Sequence, residues 1–179
     1  YYVIFVDHFT RYTWLYPLKR KSQVSEVFQR FKALVENRFQ SKIRTLYTDN
    51  GGEYIALAKF LSSHGISHFT TLPHTPEHNG IAERRHRHIV ETGLALLSHA
   101  SMPKSYWTYA FSTAVYLINR MPTPVLSLKT PHECLFGTSP NFQKLKVFGC
   151  LCFPWLKPYA KHKLDPRSTP CVFLGYSPT

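Results

Sequence analysis

Two acidic side chains stand where chemistry could be done. Asp49 closes a short segment, residues 43–48 (IRTLYT), whose β-branched and aromatic residues predict a strand, and it opens a tight Asp49-Asn50-Gly51-Gly52 turn. Glu83 follows a Pro-bearing loop over residues 72–80 and falls in the first turn of a helix predicted from Ile81 to about His99. The C-terminal ends of strands are where α/β folds gather their active groups. One predicted helix and one predicted strand separate the two acids, enough to bring the chain back so that both carboxylates meet over one cation. Carboxylate oxygens suit a hard divalent cation, Mg²⁺ or Mn²⁺. Two such ions roughly 4 Å apart stabilise the attacking and leaving oxygens of a phosphoryl transfer. A pair of ions ordinarily needs a third carboxylate to bridge it. Taken singly, each acid has a plainer reading: Asp49 as a turn former, Glu83 as an acid answering the helix dipole.

The residues around these acids are basic. Arg84, Arg85, His86, Arg87 and His88 follow Glu83 directly. On a helix Arg87 shares the face of Glu83, and Arg84 and His88 share the next. Such groups are suited to holding a nucleic-acid backbone near the reacting phosphate; the alternative is a solvated face with a Glu83–Arg87 ion pair. Ahead of Glu83, His74 and Asn79 are candidate DNA contacts, and Asn79-Gly80 permits backbone mobility. Imidazole is a poor ligand for Mg²⁺, so the loop histidines are not expected to hold metal. Across all 179 residues, 22 Lys and Arg against 10 Asp and Glu give a net charge of +12, which favours a polyanionic partner. No apolar run has the length of a membrane span, and no membrane partner is expected. The four cysteines read as ordinary thiols in a reducing compartment, with Cys150 and Cys152 too close for the usual zinc spacing.

Apolar periodicity supplies the elements that must position these groups. Residues 1–7 and 12–18 predict a hairpin. Ser22 is placed to cap a helix running to about Arg38, with Val24, Val27, Phe28, Phe31, Leu34 and Val35 on one face. A helix over about 53–64, ended by Gly65, leads to a strand over 66–70. After the loop and the long helix, a further helix over about 104–119 carries an aromatic face of Tyr106, Trp107, Tyr109, Phe111 and Tyr116. Residues 131–136 predict a helical turn, and 147–153 and 171–176 predict strands flanking a basic loop with Lys157, Lys161, Lys163 and Arg167. The order β-β-α-β-α-β-α-α describes an α/β layer in which an antiparallel hairpin leads into parallel pairing.

Residues 5–22 (FVDHFTRYTWLYPLKRKS), 47–54 (YTDNGGEY) and 72–91 (LPHTPEHNGIAERRHRHIVE) closely resemble the integrase core of copia-type retrotransposon Pol polyproteins. The tail, KVFGCLCFPWL and KLDPRSTPCVFLGYS, resembles the SH3-like segment that follows that core. The resemblance implies a ribonuclease H-like mixed sheet with flanking helices over residues 1–121, a linker over 122–143, and the start of a small β domain over 144–179. It also implies an Asp, Asp, Glu triad holding Mg²⁺ or Mn²⁺, with Asp49 matching the second Asp and Glu83 the Glu. The first Asp of the triad is expected on a strand preceding Tyr1. The chain also opens on a strand pattern without Met, so it is expected to be an internal, N-terminally truncated piece carrying two of three metal carboxylates. Asp7 is expected to be structural, accepting hydrogen bonds from turn amides. The implied function is DNA integration, the transfer of a retroelement's DNA ends into target DNA by a nucleotidyltransferase and endonuclease that acts in the nucleus after cytoplasmic synthesis. The full-length enzyme is expected to be a homo-oligomer. The truncated chain itself is expected to be inactive; the alternative is a non-catalytic DNA-binding or assembly remnant of a decayed element.

Overall fold

The computed structural model describes residues 1–49, 51–70, 80–159 and 161–177. Strand β1 (Tyr2–Val6) pairs antiparallel with β2 (Thr13–Pro17), Val3 opposite Tyr16 and Phe5 opposite Trp14. Alternation puts Val3 and Phe5 on the buried face. Helix α1 (Val24–Phe39) follows a 3₁₀ turn at Lys21–Gln23. Ser22 is not its cap, contrary to the sequence prediction. Gln23 stands at the N-cap position without a side-chain cap bond; its amide oxygen instead accepts the backbone N–H groups of Lys19 and Arg20, ahead of the 3₁₀ turn, at 2.9 and 3.1 Å. Val24, Phe28, Phe31 and Val35 are buried, whereas Leu34 is 51% exposed. At the ~100° per residue of a 3.6-residue turn, Leu34 lies about 90° from the centre of that stripe, and the core does not reach it.

Strand β3 (Thr45–Thr48) runs parallel to β4 (Ser67–Thr70), with α2 (Gly52–Ser63) as the crossover. Gly65, at φ 66°, turns the chain out of α2 in the left-handed conformation that glycine adopts at least cost. Leu57 and Leu61 of α2 and Ile66 join Val3, Phe5, Leu18 and the α1 stripe in one cluster, in which Phe5 stacks on Phe31 at 4.3 Å. The predicted order, hairpin then parallel pair, is therefore found. Among the described residues the strands form separate two-stranded ladders.

Helix α3 (Gly80–His99) is followed by α4 (Trp107–Ile118) and α5 (Pro131–Phe136). Thr130 caps α5, its hydroxyl accepting from the Glu133 N–H at 3.0 Å, with Pro131 in the first turn. The aromatic run of α4 divides. Phe111 is buried with Ala110, Ala114, Val115 and Ile118, while Tyr109 is 51% exposed. The two C-terminal strands are much shorter than predicted: β5 (Leu151–Cys152) pairs antiparallel with β6 (Cys171–Val172). Gly149 and Gly175 have φ of 81° and 135°, conformations that end a strand, and a Cβ on either would press on Ala100 or Thr113. The chain divides into two compact units, residues 1–6 with 13–86, and 7–12 with the remainder from Arg87. No described helix is long and apolar enough to cross a membrane.

Candidate active site

Asp49 follows β3 directly and is exposed. Its Oδ1 accepts the Gly51 N–H at 3.2 Å, the local bond of an Asx turn. Behind it the buried Thr48 donates its hydroxyl to the Asp49 carbonyl at 2.9 Å, and the same oxygen lies 2.8 Å from His68 Nε2 on β4. The hydroxyl has one proton and spends it on the carbonyl, so the His68 bond is one in which Nε2–H donates. The parallel pair thus holds the backbone of Asp49 through a two-bond relay.

Four residues around Asp49 were not singled out from sequence. Glu53 lies in the first turn of α2, and a Cβ built on Gly51 would sit 3.1 Å from both Asp49 Oδ1 and Glu53 Oε1. The two carboxylates therefore flank the space a glycine leaves free. Tyr54, whose N–H bonds to Gly51 O at 2.9 Å, has its phenol pushed up to about 12 by burial, then by the negative charges of Asp49 and Glu53. On the other side, Tyr47 and Phe69 stack across the strand pair at 5.4 Å and are 49% and 53% exposed. The Glu four residues after Asp49 was visible in YTDNGGEY, but nothing in its spacing told how the turn would fold it back.

Glu83 occupies the first turn of α3 and is exposed, as are Arg84, Arg87 and His88; Arg85 is half-buried. Arg84 folds back along the helix, so that a Cβ on Gly80 would lie 3.0 Å from its guanidinium Nη1. His86 stacks flat on Tyr2 of β1 at 5.5 Å, which makes it a packing residue within the basic run. His74 and Asn79, predicted DNA contacts, fall in residues 71–79, outside the described residues, as does Asn50. Asp7 has the structural role expected of it: its Oδ2 accepts both the N–H and the hydroxyl of Thr10 at 2.7 Å. Among the described residues no group of three or more His, Cys, Asp or Glu side chains is placed to hold a metal ion. The donors near Asp49 are carboxylate oxygens, the class a hard cation takes.

Residues 1–76 match the family described as integrase core domain, and residues 150–179 match the retroviral polymerase SH3-like domain. The whole chain is 71% identical to a retrovirus-related Pol polyprotein from transposon RE1 of Arabidopsis thaliana, and 98% of it is 46% identical to one from transposon TNT 1-94 of Nicotiana tabacum. The chain belongs to the copia-type retrotransposon Pol polyproteins. It spans 12% and 13% of the length of these two relatives. Among solved structures, it is similar to a chain of a simian T-cell lymphotropic virus intasome in complex with PP2A regulatory subunit B56 gamma. That match has a TM-score of 0.60 and 19% identity over 96% of this chain and 61% of that one. It is also similar to the HTLV-2 integrase catalytic core domain in complex with magnesium, trimeric form, with a TM-score of 0.54 and 20% identity over 73% of this chain and 80% of that one. At such identities the likeness shows the fold alone: the integrase core segment is ribonuclease H-like.

Proposed function

We propose that this segment serves DNA integration in its parent polyprotein, by metal-dependent transfer of retroelement DNA ends into target DNA. The observation that carries the reading is the exposed carboxylate of Asp49 at the C-terminal end of a parallel strand, held by its backbone and given clear space by Gly51. Asp49 and Glu83 are the proposed holders of Mg²⁺ or Mn²⁺, with the third carboxylate supplied from outside residues 1–179. Such ions, when bound, supply Lewis-acid stabilisation of the attacking and leaving oxygens in an in-line displacement. Asp49 and Glu83 would hold such ions through their carboxylate oxygens, leaving the phosphodiester to the basic side chains. Arg84, Arg85, Arg87 and His88, with Asn79 and His74 from the loop, are the proposed phosphate contacts beside it. By itself the 179-residue chain is proposed to bind DNA without joining it, because Asp49 and Glu83 are two of the three carboxylates that the resemblance implies for the metal pair. The parent enzyme is proposed to act in the nucleus as a homo-oligomer.

The test is Mg²⁺-dependent joining of DNA ends by a longer polyprotein segment containing this chain, with Asp49→Asn and Glu83→Gln as variants. Loss of joining with retained DNA binding supports the reading. Joining that survives either substitution removes that residue from the site. Survival in both removes the proposed metal site.

A further inference from the structure

The short C-terminal hairpin holds a cysteine pair that the integration chemistry does not use. Its register sets Leu151 opposite Val172 and Cys152 opposite Cys171. Residues directly opposite on antiparallel strands have Cα atoms about 4.5–5.5 Å apart. Disulfides accept Cα separations of about 4.4–6.8 Å. Opposed side chains also leave the sheet on the same face. Cys150, two residues before Cys152, lies outside the ladder; its carbonyl accepts from the Phe173 N–H, and no cysteine stands across from it. Cys134 is on α5, away from the hairpin in sequence. Burial, then the negative charges of Cys171 and Cys150, raise the Cys152 thiol above its ordinary value, so Cys152 lies within electrostatic reach of both. All are only half-buried.

We infer that Cys152 and Cys171 form a cross-strand dithiol that closes reversibly to a disulfide by exchange with a small-molecule disulfide such as glutathione disulfide. In the first step one protein thiolate attacks a sulfur of glutathione disulfide and expels glutathione thiolate. The opposed cysteine then attacks the protein-side sulfur of the mixed disulfide and expels the second glutathione. The protein loses two electrons and two protons, and one glutathione disulfide becomes two glutathiones. Strand pairing holds the second thiol beside the first, so the intramolecular step outcompetes capture by a second glutathione. Closure ties both ends of the basic loop that carries Lys157, Lys161, Lys163 and Arg167, whose base is otherwise a two-pair ladder. The inference is independent of the integration reading.

The experiment uses the full chain, reduced, then equilibrated with defined ratios of glutathione disulfide to glutathione, acid-quenched, alkylated and mapped by peptide mass spectrometry. Two of the four thiols are expected to disappear together as one intramolecular link, while Cys134 and Cys150 remain alkylated. Cys150 and Cys152 share a tryptic peptide, so Cys150→Ser, which is expected to keep the link, assigns the partner. Cys171→Ser is expected to leave Cys152 carrying a single glutathione. Dibromobimane, which fluoresces on bridging two thiols, gives a second readout on the unsubstituted chain. Separate glutathione adducts on Cys152 and Cys171 in that chain, a bridge to Cys150 or Cys134, or four inert thiols would each overturn the inference.

Discussion

Gly51 is required for space and not for conformation. Its φ of −60° and ψ of 137° suit any residue, yet a Cβ there would lie 3.0–3.1 Å from the carboxylate ends of Glu53 and Asp49. Both neighbours are tips of flexible side chains, so they yield and the backbone does not. Gly51→Ala is therefore expected to fold with stability unchanged or raised by about 0.4–1 kcal/mol through the unfolded chain. In the longer joining-competent polyprotein, the same change is expected to cost about a hundredfold in joining, the scale of a misplacement near 1 Å. Equal losses of stability and joining would place the effect in folding instead. Tyr54 reports on the same cluster. Its phenol titrates near 12 in the folded chain against 10.0 ordinarily, so between those values the native state holds a proton that the unfolded state has released. Stability contributed by this group is present below pH 10 and lost as the pH rises toward 12. Thermal denaturation across that window should fall less steeply for Tyr54→Phe than for the parent chain. Asp49→Asn should lower the phenol's spectroscopic titration in part, because one of the charges that raises it is gone while burial, the larger cause, remains.

Long elements with a strong apolar period were legible in the sequence, and α1, α2, α3 and α4 fall within a few residues of where periodicity puts them. Asp49 and Glu83 stood out only through their flanks, since a lone strand-end Asp or first-turn Glu is ordinary. What the sequence did not reveal depends on neighbours distant along the chain or on local folding back: the Tyr2–His86 stack, the Tyr47–Phe69 pair, and Glu53 turned beside Asp49. The shrinkage of the last two strands has the same origin, because apolar alternation does not register that Gly149 must approach Ala100. Gly93 of α3 shows how such a contact reverses a propensity rule. Ala is favoured over Gly inside a helix by about 1 kcal/mol. Here the added Cβ would sit 2.3 Å from the Phe111 ring, on a buried aromatic that has little room to move. Overpacking of that kind costs about 1–3 kcal/mol. Gly93→Ala is thus expected to destabilise in urea, and Gly93→Ala with Phe111→Leu to recover part of the loss. A plain gain of about 1 kcal/mol for the single change would show that the two helices do not approach so closely.

The molecule as a whole carries a charge of +12, and the question at this scale is where that charge meets DNA. A general polyelectrolyte attraction would be spread over the surface, whereas the proposed interface concentrates it on the first turns of α3. The two accounts differ in salt dependence. Each phosphate contact contributes about 0.9 to the slope of log affinity against log salt concentration on duplex DNA. Arg84→Ala and Arg87→Ala, both at exposed positions, should each lower that slope by about 1 and weaken binding at fixed salt irrespective of sequence. Arg30→Ala is the control: it removes an equally exposed arginine from α1, where Arg30 already lies 2.6 Å from Glu26, and it should leave the slope alone. Asp49→Asn removes a negative charge without removing a phosphate contact, so it should raise affinity slightly in the absence of divalent cation and leave the slope unchanged. Should the α3 arginines and Arg30 lower the slope alike, the attraction belongs to the whole surface, and α3 has no special claim to the DNA.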